Sequence, residues 1–215
     1  MTLETSQSQE THMHPLLPLS DRLRADTRTT HEGVDQAIMA GDPFKNIEKY
    51  GLYLQIQYGL HRDVEPLYTS SALIGAQGDF PVIKDRGRLD AVIQDAADLG
   101  VTLSRYATPP LSENIDLAQA LGWLYVVEGS NLGAAFLLKY AKQIGLSETH
   151  GARHLAEPPE GRAPYWRTFK DALNGVTLGA DDDARACEAA RTAFNRVRAL
   201  VRCHFDEASQ GERGA

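Results

Sequence analysis

Apolar residues along this chain recur at the three- and four-residue intervals of helices, and no stretch of useful length alternates with period two. Leu23, Val34 and Ile38 mark one helical face after an N-cap at Ser20 or Asp21, and Gly41 with Pro43 closes this first helix. From about Asn46 to Tyr68, the residues Tyr50, Tyr53, Leu54, Gln57, Tyr58, His61, Val64 and Leu67 fall at helical spacing, with Pro66 marking the last turn or a kink. A loop with Gly75, Gly78 and Pro81 leads to a helix over residues 83–99. Past Pro109 and Pro110, a long helix is expected from about Ser112 to Ile144. Gly151 to Pro164 reads as loop, Trp166 to Leu173 as a short helix, and residues 180–207 as a final amphipathic helix. The pattern predicts an all-α fold, one domain over residues 19–207, with a flexible polar arm at 1–18 and a short flexible tail at 208–215.

The long helix carries two glycines four residues apart, Gly129 and Gly133, inside an apolar run. An interior glycine costs a helix about 1 kcal/mol relative to alanine, so the pair costs roughly 2 kcal/mol unless the missing side chains serve something. Positions i and i+4 share a face, so the two leave a strip of bare backbone about one turn long. That strip suits a close helix crossing, a bend, the small-residue packing of membrane helices, or a flat ligand lying against it. Glu128 and Asn131 interrupt the run and argue against the membrane alternative.

Composition narrows the function classes. The chain has 215 residues, 42% hydrophobic and 24% charged, as in an ordinary globular protein. A formal charge of −7 disfavours nucleic acid as a partner, because phosphate binding needs a basic face. Cys187 and Cys203 sit in one predicted helix, roughly 24 Å apart by helical rise, too far for a disulfide. With no apolar signal core or membrane anchor in the sequence, a cytoplasmic location is expected. His12 and His14 offer at most a weak metal pair in the arm, and no zinc-ligand cluster, phosphate loop or nucleophile elbow is present.

His31 lies in the first helix with Asp35 one turn on, the spacing of an imidazole oriented by a carboxylate and also of a common surface pair. One imidazole on one helix and a bare glycine strip on another are the two sides of a slot for a planar cofactor. Haem with a single protein axial ligand meets both halves of that requirement.

The stretch Ala120 to Phe136, the later stretch Gly151 to Glu157, and the first helix around His31 together resemble bacterial haem oxygenases of the iron-acquisition type, over about residues 20–205. The resemblance implies that His31 is the proximal iron ligand and that Gly129 and Gly133 belong to the distal helix. It also implies that haem b is both cofactor and substrate, with O2 as co-substrate, and that biliverdin, carbon monoxide and ferrous iron are the products. Gln57 and His61 resemble the distal water-network residues of such proteins and otherwise form an ordinary polar pair. Arg24, Tyr125 and Lys170, with Arg167 less directly, resemble propionate contacts or else are surface charges, and Phe194 packs on the haem edge or fills the core. Some similar members carry asparagine at Arg24, lysine at Met39, phenylalanine at Tyr125 and lysine at Tyr140, and cleave haem at the β and δ carbons. None of these four residue types stands here, so cleavage at the α carbon is expected.

The chain has no flavin or nucleotide motif, so an external donor, a ferredoxin or an NAD(P)H-dependent reductase, is expected to serve a monomeric enzyme. Two other classes stay open: a haem carrier or sensor that does not turn over, and a different enzyme on a related helical scaffold in which the glycines only pack.

Overall fold

The computed structural model describes residues 17–70, 73, 83–112 and 114–206. The tail, the loop with Gly75, Gly78 and Pro81, and the arm up to residue 16 with His12 and His14 lie outside the described residues. Among the described residues there are six α-helices: α1 Leu19–Ala40, α2 Ile47–Val64, α3 Leu89–Asp98, α4 Leu117–Gln143, α5 Arg162–Gly175 and α6 Ala180–Val201. Isolated bridges from Ser147 to His150 and Gly151 are the β-type pairings among the described residues, so the chain is all-α as predicted.

Several boundaries differ from the periodicity, each for a local reason. α1 starts directly after Pro18, whose carbonyl accepts from the N–H groups of Asp21 and Arg22. Ser20 is thus a buried first-turn residue, not the cap, and its N–H donates to Asn174 Oδ1 at 2.9 Å. Asn46 caps α2 by accepting from the Lys49 N–H at 2.8 Å. Pro66 converts the expected end of α2 into the 3₁₀ turn Glu65–Thr69, since it cannot donate to the helix ladder. α3 begins six residues later than predicted because Asp85 adopts a left-handed φ of 66°, which turns the chain before the helix can start. Asp116 sets the start of α4, accepting from the Gln119 N–H at 3.1 Å. α5 begins earlier than expected, because Pro164 fits the donor-free first turn of a helix. α6 ends in a wider π turn, Arg202–Asp206.

The core is organised by α6, which lies along both α1 and α4, while α1 and α4 meet only glancingly. The closest approach of α4 to α6 is at Gly122. A Cβ there would stand 2.8 Å from Ala189 Cβ and nearer still to the Ala186 carbonyl oxygen, so only glycine permits the crossing. Leu121, Leu124, Val127 and Ala134 carry α4 into the core beside Ala190, Ala193, Val197 and Leu200 of α6.

The polar interruption of α4 is structural. Glu128, 1% exposed, accepts from Arg86 Nη1 and Tyr68 Oη, both at 3.0 Å. The Arg86 guanidinium lies 3.6 Å over the Tyr165 ring and donates to the Tyr165 carbonyl. By length and composition α4 could cross a membrane, with a mean hydropathy of 1.3 in its most apolar window. Yet 56% of that window is buried within the protein, as befits a central core helix.

Candidate active site

α1 and α4 diverge over α6 and leave a slot whose floor is α6. From the α1 side, His31 Nδ1 stands 3.1 Å from Asp35 Oδ2, and the ring meets Phe194 of α6 edge-on at 5.4 Å between centroids. Donation from Nδ1 to Asp35 leaves Nε2 free, and the side chain is 56% exposed. The Asp35 hydrogen bond raises the imidazole pKa, outweighing the opposing effect of partial burial.

The α4 side carries the glycine strip. A Cβ on Gly129 would make ordinary contact with Trp166 ring carbons at 3.6 and 3.8 Å, and one on Gly133 would meet nothing within 4 Å. Gly122, Gly129 and Gly133 project within about 40° of one another around the helix. The same face of α4 therefore packs tightly on α6 at Gly122 and lies open two to three turns later. Neither later glycine is explained by a helix crossing. Around them Leu132, Phe136 and Tyr140 expose apolar surface, Phe136 to 71%.

The two ends of the slot differ. At one, Arg24 is close enough to Tyr125 for its charge to act on the phenol, although burial still raises the Tyr125 pKa. Tyr125 packs against Trp166 at 5.7 Å, Trp166 stacks on Phe169 at 5.5 Å, and half-buried Lys170 follows Trp166 by one turn of α5. At the other end Tyr140 packs on Phe44 at 5.6 Å, and Met39 is exposed. Arg24 pairs with Tyr125, and Phe44, just past α1, pairs with Tyr140, so α1 and α4 run in the same direction along the slot. A free imidazole nitrogen on α1, bare backbone on α4, apolar side chains and a cation at Arg24 fit a flat apolar macrocycle with a central metal and an anionic edge. Among the described residues no group of three or more His, Cys, Asp or Glu could hold a metal ion, so a metal here would come with its ligand.

Gln57 and His61 share one face of α2 with Tyr50 and Tyr53, but only Gln57 is half-exposed. His61 is 3% exposed, and its Nδ1 has no protein partner. Burial, helped by the Arg88 charge, drives its pKa down to about 3. His154 is equally buried, and its Nδ1 lies 2.7 Å from Asp95 Oδ2, while its Nε2 has no protein partner. The segment holding His154, Arg153–Leu155, is tied to the glycine strip by Arg162, which donates to the Asn131 carbonyl at 3.0 Å and the Leu155 carbonyl at 2.6 Å.

The structure thus clusters His31, Asp35 and Phe194 on the α1 side, leaves Gly129 and Gly133 bare on the α4 side, and sets Arg24 near Tyr125 with Lys170 one turn beyond Trp166, while His61 is buried on α2 within electrostatic reach of His154. His154, Asp95, Trp166 and Gly122 were not foreseen. His154 lies in the notable stretch Gly151–Glu157, but its partner Asp95 is 59 residues earlier, beyond any local pattern.

Residues 17–203 match the family described as "Heme oxygenase". The heme oxygenase PigA of Pseudomonas aeruginosa is 39% identical over 186 residues, 86% of this chain and 92% of that protein. The solved heme oxygenase of Neisseria meningitidis, in NO- and CO-bound forms, superposes with a TM-score of 0.81 at 37% identity, covering 88% of this chain and 93% of that one. Heme oxygenases of Leptospira interrogans, with a TM-score of 0.68 at 16% identity, and of the cyanobacterium Synechocystis, with 0.66 at 14%, share the fold. They cover 86% of this chain and 98% and 91% of theirs.

Proposed function

The chain belongs to the haem oxygenase family and is an oxidoreductase acting on haem, and we propose that it opens the macrocycle at the α-meso carbon to give α-biliverdin, carbon monoxide and ferrous iron for iron acquisition. Haem, the substrate, supplies the iron at which O2 reacts and the ring that is opened. The chain's residues supply position, space and protons.

His31 binds the iron through Nε2, because Asp35 engages Nδ1 and Phe194 fixes the ring plane. Gly129 and Gly133 keep the opposite face free of side chains, and Leu132 and Phe136 make that face apolar. Protons reach the reacting face through water held by Gln57 and His61, since the slot-facing strip carries no acid of its own. Arg24, Tyr125 and Lys170 hold the propionates at one end by charge-assisted hydrogen bonds. At the other end Met39 and Tyr140 stand where the β/δ-cleaving members carry lysine, which supports the α seating, while Arg198 and Arg202 line a cavity there with Ala40 and Gly41. The observation that carries the reading is the open space at Gly133 on α4, together with a half-exposed, carboxylate-oriented imidazole on α1.

Electrons come from a ferredoxin or an NAD(P)H-dependent reductase to a monomeric cytoplasmic enzyme. The test is reconstitution with haem under reductant and O2, followed by chromatography of the bilins. Loss of the Soret band with a single α isomer is expected; a stable Soret band would mark a carrier, and a β/δ mixture would overturn the seating. His31→Ala should abolish the proximal bond and most turnover.

A further inference from the structure

Asp95 is 0% exposed on α3, yet it receives four hydrogen bonds from one neighbouring segment. The Arg153 N–H and guanidinium donate to Oδ1 at 2.8 and 3.2 Å, and the His154 N–H donates to Oδ2 at 3.0 Å. His154 Nδ1 also lies 2.7 Å from Oδ2. Burial would push this carboxyl up, but the hydrogen bonds from His154 and Arg153 prevail and hold it below the usual carboxylate range. An ionised carboxylate can only accept, so Nδ1 must carry the ring proton. Burial meanwhile keeps the imidazole itself neutral, against the pull of Asp95. A neutral ring with its proton on Nδ1 has an unprotonated Nε2, and here that atom is buried without a protein partner. The neighbouring His61 also presents a buried Nδ1 without one, and the Arg162 fork places this segment against the glycine strip of α4.

We propose that Asp95 is a positioning residue for proton delivery to the slot: it locks His154 in the Nδ1–H tautomer, so that Nε2 accepts a hydrogen bond from water between His154 and His61 and fixes the direction in which that water donates. The inference rests on the haem-degrading reading. It assigns Asp95 no contact with substrate.

The assignment is read by the ring-nitrogen resonances of His154 in the ligand-free full-length protein labelled with ¹⁵N. The wild type should show a protonated Nδ1 and a bare Nε2; the reverse pattern would overturn the proposal without any variant. In Asp95→Asn one amide oxygen must replace two carboxylate oxygens that each accept a backbone N–H, from Arg153 and from His154, so one orientation turns the NH2 onto His154 Nδ1 and the other leaves a weaker, uncharged acceptor there. In either orientation the Nδ1–H tautomer loses its carboxylate partner, and the ring proton is free to move to Nε2. That variant should bind haem with unchanged affinity and spectrum but turn over at least about tenfold more slowly, the lower range for losing the partner that orients a functional imidazole. A reversed tautomer with wild-type turnover, or a fall in affinity matching the fall in turnover, would overturn the proposal. Wild-type protein that shows the expected tautomer but leaves bound haem intact would instead refute the haem-degrading reading.

Discussion

Replacing Gly133 with alanine should stabilise the ligand-free protein and impair the enzyme. A Cβ at this position meets nothing within 4 Å, so no packing strain offsets the helix preference of alanine over glycine, about 1 kcal/mol. For a domain of this length, that gain raises Tm by about 2–4 °C. On the proposed function the same methyl group would intrude on the haem face where O2 reacts, so turnover should fall while the fold improves. Gly129→Ala should behave similarly, since its Cβ makes only ordinary contact with Trp166. Gly122→Ala is the opposite case. Its methyl would collide with Ala186 and Ala189 of α6, at an overpacking cost of about 1–3 kcal/mol that outweighs the helix gain. Thermal unfolding followed by far-UV circular dichroism, with bilin formation measured in parallel, reads both effects. A Gly133→Ala protein that melts below the wild type would refute the open-slot geometry. One that melts higher yet binds and degrades haem normally would refute the ligand role of the strip.

Two further outcomes follow from named contacts. On the proposed ligation, a proton and iron would compete for the His31 imidazole, whose pKa Asp35 raises; haem affinity should therefore be full above that pKa and fall about tenfold per pH unit below it. Asp35→Asn should move the onset of weakening to lower pH in a haem titration series, and an unmoved onset would contradict the role given to Asp35. Arg86→Met leaves Glu128 buried beside Tyr68 without its cation and should cost about 3–5 kcal/mol in urea unfolding, with partial recovery when Glu128→Gln is added. A loss below about 1 kcal/mol would show that this pair contributes little.

What the sequence revealed and what it hid divide along contact range. His31 with Asp35, Gly129 with Gly133, and Gln57 with His61 are i,i+4 pairs, and helical geometry alone places each on one face. The open alternatives for the glycines needed the third dimension, because spacing cannot distinguish a face pressed on another helix from one facing a cavity. Gly122 makes the point: it lies on nearly the same face and is the true crossing. Asp95 with His154 and Glu128 with Arg86 join residues 59 and 42 apart, and nothing local announces such partners. Boundaries moved wherever one residue's backbone decided the matter, as at Asp85, Asp116 and Pro164.

The common direction of α1 and α4 has an electrical consequence. Every helix carries roughly half a positive charge at its start and half a negative charge at its end, felt chiefly within the terminal turn. Both starts lie toward Arg24 and Tyr125, but Arg24 sits more than one turn inside and Tyr125 more than two, where the macrodipole has faded. Met39 is in the last turn of α1 and Tyr140 close to that of α4, so two negative poles flank that mouth directly. Of the nearby cations, Lys142 is held by Glu148 at 2.8 Å, while Arg198 and Arg202 line a cavity with Ala40 and Gly41 at the end of α1. On the proposed seating, the backbone field opposes a dianionic edge at that mouth and these two arginines offset it, so the contrast between the two ends rests on side chains more than on helix poles.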